Sequence, residues 1–194
     1  MEQYFGDTIR ILSDSIRSID LIAFEELVKD CKQVLHDGGR IIASGLGKNV
    51  PVCEKFVGAM ISLGLDANFM HTNSAVHGDL GMVRNNDLVI VLSKSGTTAE
   101  TVYLVDLLKQ RGCKIWLLTF DKKCSLAKEL QHSIALELEH EGDQWNIMPN
   151  HSTVLNLIVL QTLAMRLAKE MNIKLTDFKP NHPGGAIGQK LHEV

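Results

Sequence analysis

The 194-residue sequence has a formal net charge of −3, with 45% hydrophobic and 22% charged residues. This composition allows a substantial buried core, and the length fits one domain better than two. The near-neutral charge and the absence of basic runs argue against nucleic-acid or membrane-surface binding and leave small neutral or anionic metabolites as expected ligands.

The sequence predicts neither a targeting signal nor a disulfide framework. The N-terminal MEQYFGDTIR is polar and acidic, and no apolar run reaches membrane-spanning length, so we expect a cytoplasmic protein. The four cysteines lack CxxC spacing, which argues against a zinc knuckle or a redox pair. They are expected to be reduced structural thiols: Cys31, Cys53, Cys113 and Cys124.

Helices and strands alternate along most of the chain. Apolar residues recur at helical intervals from Thr8 to about Leu35, with a break near Asp20 and a stop at Gly38-Gly39. Beyond this point, strands are predicted at residues 40–44, 67–70, 88–92, 114–119 and 134–138. Helices are predicted at residues 50–63 and 99–111, around Leu126, and at residues 152–171.

The strand sequences LVIVL and KIWLLTF are continuous apolar runs, as in parallel sheets that helices cover on both faces. The sequence therefore predicts an α/β fold, a doubly wound three-layer sandwich with a five-stranded parallel sheet. We expect a single domain over residues 1–194. It comprises N-terminal helices over about 1–37, an α/β core over about 39–175 and a C-terminal tail over 176–194.

The motif SGLGK ends the first predicted strand. Gly45 and Gly47 resemble the opening of a dinucleotide fingerprint, and Asp66 lies near the expected ribose-binding acid, but Val50 stands at the third glycine position. Two interpretations remain. One is a tight turn that needs glycine, and the other is a backbone cradle for an anion that Lys48 also reaches.

The stretch SKSGTTAET lies between the strand LVIVL and a predicted helix. The hydroxyls of Ser93, Ser95 and Thr98, with free amides at a helix start, suit a phosphate dianion. The alternative is a capping box, in which Thr97 or Thr98 caps the helix and Glu100 completes the box. Capping explains one hydroxyl and hardly four, which favours phosphate binding.

Three more polar residues are candidate site groups. His77 shares a loop with His71, and no third ligand stands at metal-binding spacing, so we expect no metal; His77 either contacts sugar hydroxyls or stabilises its loop. Glu141 lies in a loop after the last strand, where carboxylates usually face water. His182 also has two interpretations: it is a solvated residue of the C-terminal tail, or the rigid Pro-Gly-Gly turn that follows it holds it in a site.

The segments SGLGK, VHGDLGMV, SKSGTTAE and NHPGGAIGQKL, in this order and spacing, resemble the sugar isomerase (SIS) domain of bacterial arabinose-5-phosphate isomerases from about Gly39 to Leu191. The resemblance implies a substrate loop at Gly45 and Gly47 and a phosphate-binding turn. The turn comprises Ser93, Lys94, Ser95 and Thr98. The implied catalytic positions are Lys48, His77, Glu100, Glu141 and His182. His182 resembles a histidine that, in this family, is supplied to the active site of a neighbouring subunit. The resemblance therefore implies an oligomer with shared active sites, commonly a tetramer.

The resemblance implies reversible interconversion of D-arabinose 5-phosphate and D-ribulose 5-phosphate through an enediol, with no cofactor. As the base, Glu141 is preferred over Glu100, because a loop is free to approach the sugar whereas a helix dipole keeps Glu100 ionised and less basic. Two alternatives remain open: an isomerase of another sugar phosphate, such as hexulose 6-phosphate, and a non-catalytic sugar-phosphate sensor. The presence of both Glu141 and His182 favours chemistry over sensing.

The sequence departs from the family pattern at three places that border the sugar. Asn49-Val50 replaces Ser-Gly after the lysine, Lys94 replaces the commoner asparagine between the two serines, and Asn150-His151 replaces small hydroxyl residues. These departures put the identity of the sugar in question. Most such isomerases also continue into a pair of CBS regulatory modules, whereas this sequence stops at Val194, which leaves open a stand-alone form or a shortened chain.

Overall fold

A computed structural model describes residues 2–192 of the chain. Five parallel strands form one sheet in the order β2-β1-β3-β4-β5. The strands are β1 (Ile41–Gly45), β2 (Ala67–His71), β3 (Leu88–Leu92), β4 (Lys114–Thr119) and β5 (Ser133–Ala135). The predicted doubly wound α/β fold with five parallel strands is therefore confirmed.

Helices cover both faces of this sheet. They are α1 (Glu2–Arg17), α2 (Leu21–His36), α3 (Asn49–Ser62), α4 (Thr72–Ala75), α5 (Ala99–Arg111), α6 (Ser125–Glu129), α7 (His151–Glu170), α8 (Leu175–Phe178) and α9 (Gly185–His192). Two 3-10 turns span Asp79–Met82 and Lys179–Asn181. The predicted break between the first two helices is confirmed, because the Asp20 carboxylate caps α2 by accepting from the amides of Ile22 and Ala23.

The alternation of side chains along β3 shows why its sequence is wholly apolar. Leu88, Ile90 and Leu92 pack into a core shared with α2, α3 and α7. Val89 and Val91 point the other way, into a core shared with α5 and α6. Both faces of the strand are thus covered, as the run LVIVL predicts.

Two segments without a predicted helix contain short helices. The loop after β2 holds α4 and a 3-10 turn, and His71, the last residue of β2, caps α4 by accepting from Asn73 N at 3.2 Å. The C-terminal tail holds α8, a 3-10 turn and α9. These helices are too short for an apolar period to reveal them. The strand predicted at residues 134–138 is also too long, because β5 ends at Ala135.

None of the helices within residues 2–192 combines the length and the apolar character needed to cross a bilayer. The strand order reverses between β1 and β3, which lie side by side and lead to helices on opposite faces of the sheet. In open α/β sheets, ligands bind beyond the carboxyl ends of the strands at such a reversal. We therefore expect a site at this edge of the sheet.

Candidate functional site

A cleft of about 720 Å³ lies at the reversal point. Its walls come from the turns after β1, β3 and β4 and from the first two turns of α7. A second cleft of similar volume lies at the amino ends of the strands. Its Lys109 and Glu129 pair with each other, so their charges are already neutralised. The polar residues that line the first cleft include Lys48, Asn49, Ser93, Lys94, Ser95, Thr98, Ser152 and Asn156.

The glycines of SGLGK shape the wall of the first cleft at the end of β1. A Cβ atom on Gly45 would lie 2.9 Å from Asn49 Cβ and 3.1 Å from Cys53 Sγ, so glycine lets α3 pack directly against the strand end. Gly47 adopts a left-handed φ of +59°. The turn brings Lys48 to the start of α3, where its side chain makes no capping bond, and its ammonium has no partner among residues 2–192.

The turn after β3 has a fixed, glycine-dependent shape. Gly96 has a φ of +59°, and a Cβ there would lie 2.2 Å from Cys124 Sγ. Ser93 Oγ accepts from Gly96 N at 3.2 Å, and Ser95 Oγ accepts from Thr97 N at 3.3 Å. These bonds fix the two serine hydroxyls within the wall of the cleft.

The capping-box interpretation of this turn is wrong. Thr98 is the N-cap residue of α5 but makes no side-chain capping bond. The first amides of α5 have no partner within the helix, so they can donate to a ligand beside the Thr98 hydroxyl. Glu100 lies in the first turn of α5, is exposed, and does not line the cleft.

Glu141 is buried, with a side-chain exposure of 0%, although a water-facing loop carboxylate is the usual expectation. Its Oε2 accepts from Asn150 N and Ser152 N, both at 2.9 Å, at the start of α7. Its Oε1 pairs with the ammonium of Lys94. The carboxylate is therefore not free to approach a ligand in this state, because α7 and Lys94 hold both of its oxygens.

The pKa of Glu141 reflects two opposing effects. Burial acts to raise the pKa, but hydrogen bonds from Lys94, Ser152 and Asn150 act the other way and prevail. The pKa therefore lies below its ordinary value of 4.5. Glu141 is a carboxylate at neutral pH, as a base must be, but a weakly basic one while Lys94 holds it.

A pair of amide side chains forms another wall of the cleft. Asn156 on α7 is 1% exposed, and its Nδ2 donates to Asn49 Oδ1 at 3.1 Å. Asn49 Nδ2 in turn lies 3.4 Å from the carbonyl of Leu92. Asn156 Oδ1 is buried without a hydrogen-bond partner in the described part of the chain. Such an orphaned acceptor is costly, and it belongs to a residue that lines the cleft.

The sequence did not single out Asn156. It occupies the buried face of α7 between Leu155, Val159 and Leu160, where the surrounding pattern indicates only core packing. A single amide on an otherwise apolar helix face was the available signal, because polar side chains are rarely buried without a partner or a role.

Two predicted site histidines lie outside this cleft. His77 is exposed after α4, at the same edge of the sheet. His182 stacks on Phe178, with ring centroids 3.9 Å apart, and its neighbour Asn181 donates to Ser62 O at the far end of α3. Since α3 begins at the cleft and is about 20 Å long at about 1.5 Å per residue, His182 is remote from the cleft of its own chain.

Within residues 2–192, no three His, Cys, Asp or Glu side chains come together in a way that could hold a metal ion. The four cysteines are free and buried. Burial raises the pKa of Cys53, which packs under the β1 turn, to about 12, and that of Cys113 to about 11. Such thiols are poor nucleophiles at neutral pH.

The SIS domain family model matches residues 34–166 of the chain. Arabinose 5-phosphate isomerase KdsD of Pseudomonas aeruginosa is 33% identical over 184 residues, which cover 95% of this chain and 56% of that protein. Arabinose 5-phosphate isomerase KpsF of Escherichia coli is 33% identical, over 96% of this chain and 57% of that protein. The chain thus spans a little over half the length of these curated relatives.

Among solved structures, a protein of E. coli CFT073 in complex with arabinose 5-phosphate has the same fold. It superposes with a TM-score of 0.86 at 30% sequence identity. The match covers 94% of this chain and 95% of that one. The similarity therefore extends over the sheet, the cleft and the helices that surround it.

Proposed function

Because the chain belongs to the SIS domain family, we propose that it is a phosphosugar aldose–ketose isomerase that interconverts D-arabinose 5-phosphate and D-ribulose 5-phosphate. The names of the curated relatives and the arabinose 5-phosphate complex of a structural relative support this substrate. The observation that carries the proposal is the cleft itself, where a turn of hydroxyls and free amides meets two lysines at the reversal point of the sheet.

We assign the phosphate to the turn after β3. Ser93, Ser95 and Thr98 supply hydroxyls, and the first amides of α5 add donors at the positive end of the helix dipole. Lys94 and Lys48 supply positive charge at the cleft. Because the phosphate does not react, its binding energy serves to position C1 and C2 of the sugar.

The reaction moves a proton between those carbons. After ring opening, a base removes the C2 proton of the aldose, and the electron pair forms the C1=C2 bond of an enediol while O1 gains a proton. Return of a proton to C1 and loss of the O2 proton give the ketose. We propose Glu141 as the base and Lys48 as the cation that stabilises the charge developing on the sugar oxygens.

We propose that His182 serves the cleft of a neighbouring subunit, where it assists ring opening. Its distance from the cleft of its own chain supports this assignment, and so does its fixed position against Phe178 at the other end of α3. Glu100 and His77 are exposed at the cleft edge of the sheet. We propose that they complete the polar surroundings of the sugar in a homo-oligomer, expected to be a tetramer.

A different sugar phosphate remains a second candidate substrate. The Asn49–Asn156 pair lines the cleft, and Asn49 is one of the positions that depart from the pattern of arabinose-5-phosphate isomerases. Hexulose 6-phosphate has a longer carbon chain than arabinose 5-phosphate, but its phosphate would bind at the same turn. A sugar-phosphate sensor would bind the ligand without ketose formation.

A panel assay separates these candidates. Purified protein is incubated with pentose and hexose phosphates, and ketose or aldose formation is measured together with ligand-induced shifts in Tm. The proposed enzyme converts arabinose 5-phosphate fastest. Conversion of only hexose phosphates would indicate the second substrate, and a Tm shift without conversion of any sugar would indicate the sensor.

A further inference from the structure

Lys94 separates the cleft from the buried carboxylate of Glu141. The lysine lines the cleft and its side chain is 44% exposed, whereas Glu141 does not line the cleft and is 0% exposed. The ammonium contacts Glu141 Oε1. In this state a sugar in the cleft would meet Lys94 before it could meet the carboxylate.

The anchors on the two residues allow the lysine side chain to move while the carboxylate stays. Glu141 Oε2 keeps its bonds from Asn150 N and Ser152 N at 2.9 Å, whatever Lys94 does. The backbone of Lys94 is fixed, since its carbonyl accepts from Phe120 N at 2.9 Å and from Thr119 Oγ1 at 3.1 Å. Only the flexible stem of Lys94 has freedom to swing.

We propose that the phosphate group of the substrate draws the Lys94 ammonium away from Glu141 and thereby uncovers the carboxylate as the base. The identity of the substrate rests on the function proposed above. A phosphate dianion carries more charge than the carboxylate, and it binds on the same turn that carries Lys94. Toward the reacting carbons Lys94 is a positioning residue, because it acts there through Glu141, while its ammonium also contacts the phosphate of the bound substrate.

Movement of Lys94 to the phosphate increases the basicity of Glu141, as proton abstraction from the sugar requires. While Lys94 is in place, it neutralises the carboxylate and makes it less basic. Once the ammonium has moved to the phosphate, the hydrogen bonds from Ser152 and Asn150 remain to oppose the effect of burial, so the pKa of Glu141 rises and the carboxylate becomes more basic beside the bound sugar. In the free protein Lys94 covers the carboxylate, so the stronger base is present only in the complex with substrate.

The other ionisable groups around Glu141 have partners of their own. His151 on α7 contacts Thr8 on α1 at 3.2 Å and the carbonyl of His140 at 2.8 Å. His140 accepts from Gly142 N, and the Asp143 carboxylate accepts from three amides of its own loop. Lys94 is therefore the charged group that directly contacts the Glu141 carboxylate among residues 2–192.

A titration tests this exchange without any turnover. The carboxyl carbons of glutamate are labelled with ¹³C, and the pKa of Glu141 is followed by NMR with and without inorganic sulfate, the signal being assigned with Glu141→Gln. Sulfate stands in for the phosphate dianion, because it stays doubly charged at the acidic pH where Glu141 titrates. Sulfate should raise the pKa of Glu141 in the parent protein. It should raise this pKa much less in Lys94→Met, where only repulsion between the two anions remains. Equal shifts in both proteins would overturn the proposal.

Kinetics provide a second readout. In the parent enzyme, the acid limb of the pH profile of kcat should lie at higher pH than the acid limb of the pH profile of kcat/KM. The first reports the pKa of the base in the enzyme–substrate complex, and the second reports its pKa in the free enzyme. Lys94→Met should move the kcat/KM limb up toward the kcat limb and raise KM about tenfold or more. Lys94→Arg should retain the separation, and Lys122→Met, an exposed lysine outside the cleft, should behave as the parent.

The two arms distinguish the failure of this proposal from the failure of the proposed function. Absence of isomerisation for every sugar phosphate would contradict the function, while the sulfate titration would still test the movement of Lys94. Isomerisation with identical pH limbs in the parent and Lys94→Met would retain the function and overturn the role of Lys94.

Discussion

Asn156 donates to Asn49 at 3.1 Å across the cleft wall, while its own carbonyl oxygen is buried without a partner in the described chain. An unpaired buried acceptor costs about 1 to 3 kcal/mol, which offsets or exceeds the roughly 0.5 to 1.5 kcal/mol that one neutral hydrogen bond contributes. The pair therefore adds no net stability of its own beside the binding cleft. Such an arrangement is expected where a ligand completes the hydrogen bonding.

The first prediction concerns this pair. Asn156→Leu removes the orphaned oxygen and keeps the volume, so Tm should stay unchanged or rise, while KM for the sugar phosphate should rise several-fold because a hydroxyl partner is lost. Gln161→Leu is the matched control, since Gln161 also carries a buried unpaired amide atom but lies outside the cleft. A parent-like KM in Asn156→Leu would remove its role in binding.

The second prediction concerns the phosphate turn. Thr98→Val and Ser95→Ala should each raise KM for the phosphorylated sugar, because a hydrogen bond to a charged group is worth about 1.5 to 3 kcal/mol. Steady-state kinetics measures the effect. Ser18→Ala, at an exposed hydroxyl outside the cleft, should leave KM unchanged. Equal KM values for all variants in folded protein would place the phosphate elsewhere.

The third prediction concerns sharing of the site between subunits. His182→Ala and Glu141→Gln should each be nearly inactive, with Glu141→Gln losing at least about a hundredfold in kcat. Dissociation and reassembly of a mixture should restore part of the activity, since some hybrid clefts then hold both parent residues. No recovery in verified hybrid oligomers would mean that His182 acts within its own chain or not at all.

The fourth prediction concerns the pH dependence of stability. The pKa of Glu141 is lowered in the folded state, so its contribution to stability is present above the ordinary value of 4.5 and is lost as pH falls through the folded-state pKa. The difference in unfolding free energy between the parent and Glu141→Gln should therefore shrink as pH falls below 4.5. Denaturant unfolding at several pH values measures it. Glu137→Gln, at an exposed carboxylate, is the control.

Much of the fold could be predicted because its strongest signals are long and local. The apolar runs of β3 and β4 follow from burial on both faces, and the break at Asp20 follows from the capping chemistry of one side chain. The turns in the tail and after β2 were beyond reach, because four-residue helices are decided by single caps and tertiary contacts.

Some parts of the site could be predicted from the sequence and others could not. The turn with Ser95 and Thr98 follows from its composition, because few other reasons place so many hydroxyls after a buried strand. The burial of Glu141 could not be predicted, since it depends on α7 and the β3 turn meeting across a long sequence separation. For the same reason Lys94 could be assigned to the turn from the sequence, but its contact with Glu141 could not.

The most direct test of the proposed isomerase is proton exchange at the reacting carbons. Purified protein is incubated with D-arabinose 5-phosphate in D₂O, and the products are analysed by NMR. We predict formation of D-ribulose 5-phosphate, with deuterium at C2 of the recovered aldose, and at least about a hundredfold slower exchange in Glu141→Gln. Formation of no ketose and no exchange at C2, in protein whose binding of the sugar phosphate is verified, would contradict the proposed function.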